Sequence, residues 1–189
     1  YYAFIKNPRI NSKGLNTSAM FGFTNSLLDI LNNQKPTHIA VVFDFPDKTF
    51  REKVFPEYKA NRDETPEDIK RSVPWIKEII EGFNIPILEA KGYEADDVIG
   101  TLAKRAEKEG FTTYMMTPDK DFGQLVTDKI FMYKPARMGN SAEVWGPKEV
   151  CERFDLEHPE QVIDILGLMG DSVDNIPGVP GVGEKTAVK

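Results

Sequence analysis

The stretch "EADDVIGTLAKRAEKEG", residues 94–110, runs directly into "FTTYMMT", 111–117, and "PDKD", 118–121. Val98, Leu102 and Ala106 recur at helical spacing and Gly110 closes the run, so a helix is predicted there. "FTTYMMT" predicts a strand, as does "NIPILEA", 84–90, on the other side. Working outward, "TSAMFGFTNSLLDILN", 17–32, predicts a helix through Phe23, Leu27, Ile30 and Leu31, and "THIAVVFD", 37–44, a buried strand ending at Asp44. Residues 45–64 are polar, basic and aromatic with no clear period, which predicts a long loop or a loosely helical excursion, of the kind that is usually functional or mobile. "TPEDIKRSVPWIKEIIEG", 65–82, predicts a helix opened by Thr65 and Pro66, bent at Pro74 and closed at Gly82. "KIFMYK" and "AEVWG", joined by "RMGNS", predict a hairpin, followed by helices over "PKEVCERF" and "PEQVIDILGLMG". Strands alternating with helices predict an α/β fold with a mostly parallel, twisted central sheet flanked by helices.

The acidic residues gather where such a sheet binds ligands, beyond the carboxyl ends of its strands. Asp44 ends one strand; Glu94, Asp96 and Asp97 follow another; Asp119 and Asp121 follow a third, and Asp171 and Asp174 stand in "GDSVDN". Singly, each knot has a structural explanation in helix-dipole or turn chemistry. Jointly, eight carboxylates converging on one edge repel, and divalent cations remove that conflict. Oxygen ligands without histidine or cysteine suit Mg²⁺ or Mn²⁺. His38 and His158 make no zinc pattern, and a calcium loop opened at Asp119 has Gln124 and Ile130 where Gly and Glu are required. Two ions about 3.5–4 Å apart serve phosphodiester chemistry.

The chain has 189 residues, 40% hydrophobic and 29% charged, a soluble globular balance with no span-length apolar run and no signal-peptide pattern. The lone Cys151 reads as a packed residue in a reducing compartment. The net charge of −6 speaks against a nucleic-acid partner, but Lys48, Arg51, Lys53, Lys59, Arg62, Lys70 and Arg71 form a local basic stretch. In "FREKVFPEYKANRDE" cations interleave with Phe50, Phe55 and Tyr58, a pattern that grips phosphates and stacks bases. "GVPGVGEKT", 178–186, is not a P-loop, because Glu184 intervenes before Lys185 and no strand precedes it. It reads as a helix–hairpin–helix turn offering backbone N–H groups to a phosphate.

Together, "AVVFD", "FREKVFPEYKANRDETPEDI", "GYEADDVIGTLAKRAEKEG", "TPDKDFGQLV" and "LMGDSVDNIPGVPGVGEKTA" resemble the 5′-nuclease (flap endonuclease) family, within it the amino-terminal 5′–3′ exonuclease domains of bacterial DNA polymerases. The resemblance implies a PIN-like/5′-nuclease core over 1–165 with an arch near 45–65, and the start of a helix–hairpin–helix region over 166–189. It implies Mg²⁺-dependent cutting of 5′ flaps and of the RNA primers of Okazaki fragments on branched or nicked duplex DNA. Asp44, Glu94 and Asp96 would serve the first ion. Asp119, Asp121, Asp171 and Asp174 would serve the second, with Asp97 between them or in the outer shell. Lys59 and Arg62 would be the catalytic cations on the scissile phosphate, with Arg51 and Tyr58 also on DNA. Gly178, Gly181, Gly183 and Lys185 would hold the duplex, where the family often binds K⁺. A monomer without membrane contact is implied, cytoplasmic and nucleoid-associated, with a polymerase domain of the same parent chain as partner. The family's first strand, with its own metal-binding aspartate, would precede the "YYAF" segment at Tyr1, and the glycine region would continue past Lys189. A chain lacking these parts is expected to be a poor nuclease with at least one metal site weakened. The competing readings are a PIN-like ribonuclease and a DNA-binding module without catalysis.

Overall fold

The computed structural model describes residues 7–135 and 141–189. The elements are α1 (Ser18–Asp29), β1 (Val41–Val42), α2 (Phe50–Val54), α3 (Glu67–Gly82), β2 (Ile87–Leu88), α4 (Ala95–Lys108), β3 (Thr113–Met116), β4 (Ile130–Lys134), β5 (Glu143–Trp145), α5 (Pro147–Phe154), α6 (Val162–Met169), β6 (Gly170–Asp171), β7 (Ile176–Pro177) and α7 (Glu184–Ala187). Two compact units arise: residues up to Phe43 with Asp63–Glu89, and Asp44–Arg62 with Ala90–Lys189.

In the first unit β1 and β2 pair in parallel, Val41 with Ile87 and Val42 with Leu88. Ala19 and Leu27 of α1 and Ile76 and Ile80 of α3 meet Ile85 in one apolar core. α3 continues through Pro74, which can donate no backbone hydrogen bond. Two residues earlier the buried Ser72 hydroxyl donates to the Asp68 carbonyl at 2.6 Å.

In the second unit β3 and β4 are parallel, and β5 returns antiparallel to β4 with Met132 opposite Trp145. The core joins Ala103, Met115, Phe122, Ile130, Met132, Val150, Phe154, Val162 and Ile165. α4 lies close to Leu125: a Cβ on Gly100 would come within 3.0 Å of the Leu125 Cδ1. The strands of the predicted hairpin are present, whereas residues 136–140, holding most of its "RMGNS" turn, lie outside the described residues, as does the "YYAF" segment.

The expected mostly parallel central sheet is not what the described residues form. They make a parallel pair, a mixed three-stranded sheet and an antiparallel pair, all flanked by helices. The apolar runs are longer than the strands they yield: "THIAVVFD" contributes only Val41 and Val42 to a ladder. Apolar pattern marks a buried extended run but does not choose its neighbour. The antiparallel β6–β7 pair precedes the glycine-rich segment, pairing Gly170 with Pro177 and Asp171 with Ile176. The residues flanking the pair approach so closely that a Cβ on Gly178 would lie 2.3 Å from the Met169 carbonyl carbon. Gly170, at φ +71°, has the Gly178 nitrogen at the same 2.3 Å from where its Cβ would stand. Gly183, by contrast, has open space around it. Among the described residues no helix is long and apolar enough to cross a membrane.

Gly178→Ala is therefore expected to cost about 1–3 kcal/mol in urea unfolding, with Gly183→Ala near neutral. Equal stability of the two variants would show that the close backbone approach is not required.

Candidate metal and phosphate site

The acidic residues singled out in the sequence all belong to the second unit, and so do Arg51, Tyr58, Lys59 and Arg62. The start of α4 positions three of them. Glu94 is its N-cap, in extended backbone, and its N–H donates to Asp97 Oδ2 at 2.9 Å, which holds the first turn closed. The Ala95 N–H donates to Asp44 Oδ1 at 2.7 Å, tying Asp44 to the same turn. Beyond β3, the Asp121 N–H donates to Asp119 Oδ1 at 3.0 Å, which opens a short 3₁₀ turn. In the β6–β7 connection, Asp171 Oδ1 accepts from the N–H groups of Val173 at 2.7 Å and Asp174 at 3.2 Å.

Among the described residues, three cations pair with part of this acidic set. Arg51, at the start of α2, donates both guanidinium nitrogens to Asp97, at 2.6 and 2.7 Å, and stands 3.5 Å from Glu94. This fork raises the Arg51 pKa and holds the Asp97 carboxyl below its usual range. Lys59 Nζ donates to Glu94 Oε1 at 2.5 Å and lies 3.8 Å from Asp174 Oδ2, and Arg62 pairs with Asp174 Oδ1. The buried Tyr58 hydroxyl sits between Glu94 Oε2, at 2.9 Å, and Asp174 Oδ2, at 3.1 Å. Burial first, and the hydrogen bond to Glu94 second, push its phenol pKa well up.

Asp44, Asp96, Asp119, Asp121 and Asp171 have no ion-pair partner among the described residues. Two of them show the strain. Asp96 keeps contact with water, yet the protein around it, then the charges of Asp119, Asp44 and Glu94, push its pKa up to about 6. Burial, then Asp119, Asp171 and Asp174, push Asp121 up to about 6 as well. Asp119 thus acts on both and couples the two groups of carboxylates. Asp121 Oδ1 is buried without a hydrogen-bond partner.

Among the described residues, no group of three or more acidic, histidine or cysteine side chains forms a closed metal cage as they stand. Several of the carboxylates are instead turned toward Arg51, Lys59, Arg62 or backbone N–H groups. The donor set still fits a hard divalent cation: it is all oxygen, its charges repel, and Asp121 Oδ1 is a buried acceptor without a donor.

Some residues fall in places that the sequence did not suggest. Tyr58, expected to stack on a base, is only 7% exposed, with its hydroxyl committed to carboxylates. Arg51, expected on DNA, is held by Asp97. Gly178 lies against the Met169–Gly170 backbone, while Gly181, at φ +82°, Gly183 and Lys185 are exposed. Asn61 and Asn175 were not anticipated. Asn61 Nδ2 donates to the Ser172 carbonyl at 2.8 Å and Asn175 Nδ2 to the Glu57 carbonyl at 2.7 Å. Contacts across more than a hundred positions leave no periodic signal.

Comparison with known proteins places the chain in a family. Residues 1–155 match the family model of the 5′-3′ exonuclease N-terminal resolvase-like domain, and 157–189 that of the 5′-3′ exonuclease C-terminal SAM fold. The chain belongs to the 5′-3′ exonuclease family, a family of phosphodiester hydrolases. It is 47% identical over its full length to DNA polymerase I of Bacillus subtilis (strain 168), spanning 22% of that protein. It is 41% identical over its full length to a 5′-3′ exonuclease of Aquifex aeolicus (strain VF5), spanning 64% of that protein. It is thus homologous to the 5′-nuclease region of DNA polymerase I and covers about a fifth of such relatives. The fold matches that of the bacteriophage T5 flap endonuclease, solved as a pseudo-enzyme–product complex with DNA and metal ions. The TM-score is 0.70 at 24% identity, over 98% of this chain and 70% of that one.

The raised acids set a pH dependence. A carboxyl with a folded pKa near 6 and an ordinary unfolded value of 3.8 binds more protons when folded between those values. Its stability contribution is complete below about pH 4 and is lost as pH rises through about 6. In EDTA, Asp96→Asn and Asp121→Asn are each expected to melt above wild type at pH 7.5, the gap closing toward pH 4. Melting points that coincide at both pH values would contradict the repulsion.

Proposed function

We propose that this chain is a divalent-metal-dependent, structure-specific 5′ nuclease that hydrolyses phosphodiesters at 5′ flaps and duplex 5′ ends. One observation carries the reading: the Tyr58 hydroxyl bridges Glu94 Oε2, at 2.9 Å, and Asp174 Oδ2, at 3.1 Å, so carboxylates of the two groups of hard-oxygen ligands meet at one place. Asp44, Glu94 and Asp96 would hold one Mg²⁺ or Mn²⁺, and Asp119, Asp121, Asp171 and Asp174 a second. Asp97 stays behind them, orienting Glu94 through its backbone N–H. Bound ions of this kind activate water and stabilise a leaving oxygen.

The remaining work falls to the chain's own side chains. Lys59 and Arg62 carry charge at the edge of the acidic group and would engage the scissile phosphate. Gly181, Gly183 and Lys185 present exposed backbone and one cation to the duplex, with K⁺ as an added ligand of that loop. Family membership supports DNA as substrate, as does the T5 flap endonuclease's complex with DNA and metal ions. The same reading places the chain in the cytoplasm at the nucleoid, as a monomeric nuclease joined to a polymerase domain and acting on Okazaki primers.

Asp119→Asn is expected to lower Mg²⁺-dependent flap cleavage at least about a hundredfold while flap DNA still binds. A binding module would show no cleavage to lose, and a PIN-like ribonuclease would cut single-stranded RNA in preference to flap DNA.

A further inference from the structure

The turn over residues 57–62 is strapped onto the 172–175 loop. The Lys59 N–H donates to the Asp174 carbonyl at 2.9 Å, and two asparagines tie the segments from opposite sides, Asn61 to Ser172 and Asn175 to Glu57. Lys59 and Asn175 both adopt left-handed backbone, φ +57° each, a conformation that non-glycine residues hold only where neighbouring contacts fix it. The result sets the Lys59 ammonium between Glu94 and Asp174 and the Arg62 guanidinium on Asp174. These are carboxylates assigned above to different ions, so the strap's cations and divalent ions compete for the same oxygens.

We propose that residues 57–62 form an exchangeable counter-ion strap. In the metal-free protein Lys59 and Arg62 neutralise Glu94 and Asp174. When those carboxylates ligate divalent cations, the two side chains are released and become available to a substrate phosphate. The inference rests on the metal reading and extends it with an order of events: the cations that grip a polyanion are freed only after the acidic site is filled. Tyr58 stays as the pivot, because its ring is buried and its hydroxyl bridges the same two carboxylates. The exchange is balanced in charge, since each ammonium or guanidinium displaced from a carboxylate is replaced there by part of a divalent charge.

The test uses Mn²⁺ alone, without DNA, on the 189-residue chain. Mn²⁺ binding is followed by calorimetry for wild type, Lys59→Met and Arg62→Gln, and amide hydrogen exchange over 57–62 is read with and without Mn²⁺. The exchange mechanism requires two results. Lys59→Met should bind Mn²⁺ about tenfold tighter, the worth of one charge-assisted hydrogen bond, and Arg62→Gln should shift the same way. Mn²⁺ should also speed wild-type exchange across 57–62. Unchanged or weaker binding by the two variants overturns the proposal, and so does unchanged or slower exchange over 57–62. The exchange arm needs no variant, so a substituted chain that fails to fold does not shield the idea. If wild type takes up no Mn²⁺, or if uptake survives Asp96→Asn with Asp119→Asn, the metal reading itself fails and the strap mechanism falls with it. Mn²⁺ uptake that those substitutions abolish, with an inert strap, overturns the exchange alone.

Discussion

Repulsion among like charges is the constraint around which the second unit is organised. The eight carboxylates singled out above, from four stretches of chain, stand in that unit, and among the described residues three cations pair with members of the set, Arg51, Lys59 and Arg62. Those cations serve Asp97, Glu94 and Asp174. Asp96 and Asp121 express what is left over in pKa values pushed up to about 6. A fold that keeps such an arrangement carries a cost that bound cations remove, which is why the acidic cluster reads as a ligand site and not as surface decoration.

The second constraint is distance along the chain. Tyr58 reaches Glu94 and Asp174 across 36 and 116 positions. Such contacts need a rigid frame on each side. Glu94 is fixed by the N-terminal turn of α4, where its own N–H is held by Asp97. Asp174 lies in the connection of the tight β6–β7 pair, where Gly170 in β6 and Gly178 just after β7 let the two backbones pass without side chains between them. Packing at these glycines therefore sets the reach of Asp171 and Asp174, although neither glycine touches a carboxylate. In the same way Arg51 acts at one remove, since its fork on Asp97 steadies the turn that presents Glu94.

Much of this could be read from the sequence. α4 and β3 followed from an apolar stripe ending at Gly110 and a β-branched, aromatic run after it. The antiparallel β4–β5 pair and α5 were equally legible, and the eight acidic residues were identified by type and position. What stayed hidden depended on which parts of the chain meet. Short strands divided, among the described residues, between three small sheets have the same apolar pattern as one parallel sheet. Tyr58 looked like an exposed stacking residue because it sits in a basic, polar run; only the fold shows that Glu94 and Asp174 bury its hydroxyl. Gly178 looked like a phosphate contact because its spacing from Gly181 and Gly183 suggests a loop, whereas its surroundings show a close packing partner.

The central claim is that the carboxylates form one divalent-ion site. Anomalous diffraction from crystals soaked in Mn²⁺ tests it most directly. The account predicts two peaks about 3.5–4 Å apart, one bound by Asp96 and the other by Asp121. Mn²⁺ found only at other acidic positions, with Asp96 and Asp121 unligated, would contradict it.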